Sequence, residues 1–206
     1  MGEIKASDTY RTVAKNSTGI YKELGSKFLS FSYPVSSQEE IKTILSTLKK
    51  DYFDARHHCY AYRLGPGGDL WRANDDGEPS STAGKPILGQ LLSHDLSDTL
   101  IVVVRYFGGT KLGVPGLIRA YRGAAADVIN NSEVVEKIAV KSLILRFSYT
   151  CMETVMKLIK SFGADVQKQE FDTDCLMNIN IRVSEYSLFV NLLREINGLV
   201  IESDTI

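Results

Sequence analysis

Residues 75–87 read DDGEPSSTAGKPI, which sets acids, hydroxyls and a lysine side by side. Such a set suits phosphate or metal handling. Asp76 and Glu78 could hold a cation or move a proton, while Ser80, Thr82 and Lys85 could hold a phosphate. A nucleotide-binding Walker loop is excluded by its own spacing. That loop needs Gly-Lys followed by Ser or Thr, and a glycine five residues earlier. Here Gly84-Lys85 is followed by Pro86, and Pro79 stands where the first glycine belongs. A serine nucleophile lacks the G-x-S-x-G turn that exposes it. The structural alternative is that Asp-Asp-Gly makes a solvated turn and the hydroxyls cap the next helix; for the hydroxyls it is the preferred reading.

A second segment, RYFGGTKLGVPGLIRAYRGAA at 105–125, carries Arg105, Lys111, Arg119 and Arg122. It has no acid from 105 to 122. Gly108 and Gly109 permit positive φ and a close ligand approach. A strand, a glycine loop and a helix start would converge free N–H groups and a helix dipole on an anion. The alternative is that the glycines let the helix pack closely and the cations form a solvated face. On spacing alone, that alternative stands slightly ahead. His57 and His58 adjoin Cys59, but neighbours on a strand point to opposite faces. No histidine pair with metal-ligand spacing occurs, so no metal site and no cofactor are expected.

The elements that must carry these residues follow from periodicity. GIYKELGSKFLSFSYPV reads as strand with a turn at Gly25. Ser37 and Glu40 form a capping box before a helix with Ile41, Ile44, Leu45 and Leu48 on one face. CYAYRLG reads as a strand and GPGG as a turn. Ile87 to Leu92 make a short helix with Pro86 in its first turn. LIVVV at 100–104 is wholly apolar and predicts a central strand. Val114, Leu117, Ile118, Tyr121, Ala125 and Val128 mark an amphipathic helix. The polar stretch NNSEVVEKIA at 130–139 predicts a boundary, giving domains 1–137 and 138–206. The second half reads βαββαβ, the order of a ferredoxin-like sandwich. In it, Leu143, Leu145, Phe147 and Tyr149 alternate, Val155 to Phe162 have helical spacing, and Met177 to Val183 alternate again. The fold class is therefore α+β.

Bulk properties narrow the function. The chain has 206 residues, 44% hydrophobic and 24% charged, and a formal net charge of −1. That is ordinary globular composition. It argues against strong nucleic-acid affinity from bulk charge, so any such site must be local. Three scattered cysteines, Cys59, Cys151 and Cys175, predict buried thiols in a reducing compartment. No signal peptide is expected at MGEIKASDTY and no apolar run nears the ~18 residues that span a bilayer. The expected location is cytoplasmic, with no membrane partner.

The two chemical segments together resemble the YigZ/IMPACT family. DDGEPSSTAGKPI is followed about a dozen residues later by VVVRYFGGTKLGVPGLIRAY, HHCYAYRLG places His57 in the family's histidine position, and SKFLSF at 26–31 matches a strand element. Ser81 stands where glycine is usual, and Pro115 where another small residue is common. The resemblance implies an N-terminal left-handed βαβ domain. That domain type is shared by a small-subunit ribosomal protein, domain IV of elongation factor G and the GHMP kinases. It also implies a C-terminal domain like domain V of elongation factor G. Eukaryotic relatives regulate translation by binding a partner of a kinase that acts on an initiation factor.

Two functional expectations follow. The leading one is a non-enzymatic protein that contacts RNA, the ribosome or a translation-associated protein and regulates translation. Its contacts are expected from Arg105, Lys111, Arg119 and Arg122. The other is a phosphotransferase- or hydrolase-like enzyme using Asp76, Glu78 and Lys85. Either way, the loops 75–85 and 105–113 are expected in one cleft, with the acids at 75, 76 and 78 in reach of Arg105 and Lys111.

Overall fold

The computed structural model describes residues 8–205. It divides into two compact units, one of residues 10–137 and one of Ile138 onward joined by the described residues before Tyr10. The first contains β1 (Thr9–Val13), β2 (Ser17–Glu23), β3 (Ser26–Pro34), α1 (Gln38–Asp51), β4 (His57–Leu64), β5 (Leu70–Asn74), α2 (Gly84–Ser93), β6 (Thr99–Tyr106), α3 (Gly113–Asn130) and β7 (Val134–Ile138). Five strands form one sheet in the order β2-β3-β6-β4-β5, with every neighbouring pair antiparallel.

β6 lies at the centre, and its apolar run has a simple cause. Ile101 and Val103 point into the core shared with α2 and α3, while Leu100, Val102 and Val104 point into the core shared with α1. A strand buried on both faces has no place for alternation. The antiparallel pairing of β6 differs from the parallel arrangement that such a run usually marks. β4 splits in the same way. Cys59 and Ala61 face α2 and α3, and Tyr62 and Leu64 face α1.

Three strands, β1, β5 and β7, lie outside the periodic reading. β5 follows the Gly65–Gly68 turn as the sheet's edge, and its first three residues are exposed, so no alternation marks it. β7 lies in the polar stretch expected to mark the domain boundary and pairs with β1. The cap of α1 is also displaced. Ser37 Oγ accepts from Glu40 N at 3.2 Å, but the Glu40 carboxylate accepts from Ser36 N at 2.9 Å instead of from Ser37.

The second unit runs β8 (Val140–Phe147), a 3-10 turn (Tyr149–Cys151), α4 (Met152–Phe162), β9 (Asp165–Phe171), β10 (Cys175–Arg182), α5 (Val183–Arg194) and β11 (Leu199–Thr205). Its antiparallel sheet has the order β11-β8-β10-β9. Leu143, Leu145, Phe147, Met177, Ile179 and Ile181 share one core with Val155 and Ile159 of α4 and Phe189 and Leu193 of α5. Tyr149, expected as the strand's last alternating residue, sits in the 3-10 turn. Among the described residues no helix is long and apolar enough to cross a membrane.

The central strand sets a first expectation. Ile101 is fully buried, so Ile101→Ala should cost about 2–5 kcal/mol in urea unfolding. Ile20 on the edge strand β2 is 45% exposed, and Ile20→Ala should change stability by about 0.5 kcal/mol or less. Equal losses at the two positions would contradict this layering.

Candidate functional site

A buried cation organises the site. Arg105 stands at the end of β6, opposite Phe28 on β3 and His57 on β4, so the three form one row across the sheet. Its side chain is only 9% exposed. Such a charge is costly unless it is paired and hydrogen-bonded. Glu78, 4% exposed, accepts from Arg105 Nη1 at 2.6 Å. Tyr121 of α3 donates its hydroxyl to the same Glu78 oxygen at 2.7 Å. The guanidinium lies 5.5 Å from the Phe28 ring centre and 5.8 Å from that of Phe107. Beneath it, Cys59 Sγ lies 3.3 Å from the Tyr121 hydroxyl and 3.0 Å from the Asp75 carbonyl oxygen. Burial pushes both the Cys59 thiol and the Tyr121 phenol well up, so both stay protonated near neutrality. A protonated, buried thiol is a poor nucleophile.

The acid loop is folded around its own carboxylates. Asp75 Oδ1 accepts from Ala83 N at 2.9 Å and Gly84 N at 2.8 Å, and Oδ2 accepts from Ser81 N at 2.8 Å. Asp75 therefore caps α2 from eight or nine residues upstream. The hydroxyls do not cap it, because the residue before the helix is Ala83 and makes no side-chain cap. Thr82 is buried with Oγ1 donating to the Pro79 carbonyl at 2.6 Å, and Ser80 is exposed. A phosphate at this helix start would meet donors already taken by a carboxylate. Gly84 is required for packing, since a Cβ there would stand 2.5 Å from Asn74 N of β5.

Asp76 is also committed. Its Oδ2 accepts from His58 N at 2.7 Å and its Oδ1 from Lys49 Nζ at 3.3 Å. The Asp76 carbonyl lies 2.9 Å from His57 Nδ1. Of the three acids expected near Arg105 and Lys111, only Glu78 reaches Arg105.

The glycine segment divides by role. A Cβ on Gly108 would fall 1.9 Å from Gly25 C and 2.1 Å from Ser26 N, so this glycine seats the loop against the β2–β3 turn. Its N–H donates to Ser26 Oγ at 3.2 Å. Gly109 has φ +87° with open space around it. α3 then begins with no side-chain cap and no acid in its first turn. Arg119 leaves the expected cationic set, because its guanidinium pairs with Glu23 of β2 at 2.5 Å. Lys85 and Arg122 line a separate shallow groove between α2 and α3.

One cleft of about 830 Å³ joins the two loops. It brings together His57, Glu78, Arg105 and Lys111 with Arg56, Phe107 and the start of α3 at Gly113 and Val114. Asp76, Ser80, Thr82, Lys85, Gly108, Gly109, Arg119 and Arg122 do not line it. Sequence reasoning missed Arg56 and Phe107, although each directly adjoins a residue it selected or quoted. It also counted Tyr121 only as part of an apolar face. Asp54, which accepts from the Tyr106 hydroxyl at 2.8 Å, closes the rim. Among the described residues no three His, Cys, Asp or Glu side chains group as a metal site.

Two expectations follow. Asp75→Ala removes acceptors from three N–H groups and should cost about 2 kcal/mol, the upper end for a lost helix cap. Ser80→Ala should stay within about 0.5 kcal/mol in the same unfolding experiment. The second concerns His58, whose pKa burial lowers below the ordinary 6.5, with Asp76 opposing the shift and Lys49 adding to it. Below pH 6.5 the unfolded chain therefore binds a proton at His58 that the folded chain refuses. This contribution to stability is whole above that pH and is lost as pH falls through the folded value. Unfolding from pH 7.5 to 5 should show a steeper decline for the native chain than for His58→Gln. Parallel curves would contradict it.

Residues 24–129 match the Impact N-terminal domain, a span that contains the whole cleft. IMPACT family member YvyE of Bacillus subtilis is 42% identical over 125 residues, 61% of this chain and 58% of its own length. The match thus spans less than two thirds of that relative. An IMPACT family member of Haemophilus influenzae is 30% identical over 172 residues, 82% of this chain and 84% of its own. The crystal structure of a hypothetical protein superposes with a TM-score of 0.71 at 26% identity, covering 95% of this chain and 97% of that one.

Proposed function

We propose that this chain, which belongs to the IMPACT family, regulates translation by binding RNA of the translation machinery through the cleft of its first unit. The observation that carries the reading is the convergence of Arg56, Lys111 and the uncapped start of α3 beside the exposed ring of Phe107. Unpaired cations and a helix N-terminus favour phosphate, and an exposed aromatic favours a base. The reading includes a cytoplasmic location and two domains, 1–137 and 138–206, the second folding as a separate unit. It also includes the likeness of the first to the left-handed βαβ fold of elongation factor G domain IV and of the second to domain V. A fold likeness supports a function only by association, so the cleft carries the argument.

The enzyme alternative gains no support from the geometry. Asp76 is bound to β4 and Lys49, Glu78 to Arg105 and Tyr121, and Lys85 lies in the other groove. They do not converge on a point where a reacting atom could sit.

The cation count sets the salt dependence. Arg105 and Arg119 are paired, which leaves Arg56 and Lys111 at the cleft without an ion pair among the described residues. Two phosphate contacts on single-stranded RNA predict a log–log salt slope of about −1.4. Filter binding of ribosomal RNA across a salt series should give that slope. Lys111→Ala should lower affinity and reduce the slope by about half, with unfolding stability within about 0.5 kcal/mol of the native chain. Salt-insensitive binding, or a Lys111→Ala chain that binds as the native one does, would overturn the reading.

A further inference from the structure

We infer that the cleft takes one unpaired nucleotide, with its base on Phe107 and its phosphate at Lys111 and the start of α3, and that it rejects duplex RNA. This rests on the reading above and narrows its ligand. The walls are the first reason. Pro79, Leu112, Val114 and Leu117 line the cleft with Phe107, which is 57% exposed, and Val114, which is 51% exposed. A sugar–phosphate backbone gains nothing from such walls, whereas the face of a base does.

Cation supply is the second reason. A surface that tracks a duplex meets phosphates along two strands and needs a row of unpaired cations. This cleft offers Arg56 and Lys111, and the Glu78 carboxylate neutralises Arg105. That serves one or two phosphates. The third is shape. A concave pocket of about 830 Å³ has the size of a small-molecule site, in the range ~300–1,000 Å³. Bases inside an A-form helix cannot enter it, but bases of loops and ends can be splayed out onto aromatic side chains.

Arg105 belongs to the structure of the cleft and is not part of its ligand-binding set. Its side chain is nine-tenths buried and lines the cleft, and its Nε has no acceptor. A buried donor without an acceptor is costly. That nitrogen is itself sealed from solvent, so Arg105 holds the wall of the cleft and offers a seated base no donor there.

The test is fluorescence anisotropy with three labelled RNAs: a short single strand, a hairpin duplex of the same composition, and an abasic strand of the same length. The single strand should bind at least about tenfold more tightly than the duplex. Phe107→Ala should weaken the single strand by about 5- to 150-fold, the stacking loss for one base. It should leave the abasic strand and the salt slope unchanged. Phe53→Ala, at a ring 83% exposed and outside the cleft, should change none of these. Phe107→Leu, which keeps apolar bulk, should fold as the native chain and still lose most of the stacking. Equal affinity for duplex and single strand overturns the inference. So does an equal loss by the base-bearing and abasic strands in Phe107→Ala. If those results come with RNA binding still dependent on Lys111, only the nucleotide assignment fails; if no RNA binds at all, the proposed function fails with it.

Discussion

The buried ion pair of Arg105 and Glu78 is the constraint around which the first unit is arranged. β6 is apolar on both faces from Leu100 to Val104, and Arg105 follows while the strand is still paired on both sides. A guanidinium at that depth needs a carboxylate, and the chain supplies it from a loop 27 residues away. The rest of the 75–84 segment positions that carboxylate. Asp75 ties the loop to the start of α2, Asp76 ties it to the backbone of β4, and Tyr121 fixes the accepting oxygen from α3. Three acids in four residues would repel one another in an open loop. Each has its own set of donors here, which offsets that repulsion.

This division of labour explains why the cleft is electrostatically modest. The acids are consumed inside the protein, and so is Arg105. What faces outward is a pair of cations, the rim carboxylate of Asp54, an aromatic ring and the uncapped turn of α3. The two helix starts contrast sharply. The loop into α2 and the helix's first residue put three N–H groups, of Ser81, Ala83 and Gly84, on one carboxylate, while α3 has no side-chain cap at all. An internal anion sits at the first, and room for an external one exists only at the second. The net charge of −1 accords with a site that relies on placement instead of a broad field.

Much of the fold was legible because burial writes itself into periodicity. The apolar run of β6, the alternation in β8 and β10 and the helical spacing of α3 and α4 each report which faces are covered. β5 and β7 were not legible, since a short edge strand with exposed residues carries no alternating signal. At the site, residue types and glycine spacing pointed to Glu78, Arg105 and Lys111, and the family resemblance to His57; these four share the cleft. They could not show partners distant in sequence. Arg119 looked free because Glu23 lies 96 residues away, and the hydroxyls looked like the natural cap because Asp75 caps across a loop. Gly108 read as a ligand-facing glycine, but a steric contact with Gly25, visible only in three dimensions, requires it.

A double-mutant cycle at Arg105 and Glu78 tests the organising role of the pair most directly. Unfolding would be followed in Arg105→Met, Glu78→Gln and the double variant. Each single change leaves a buried group without its partner and should cost about 3–5 kcal/mol. The double variant should cost clearly less than the two single losses combined, because neither charge is then left alone. Additive losses, or single variants as stable as the native chain, would show that the pair does not hold the site together.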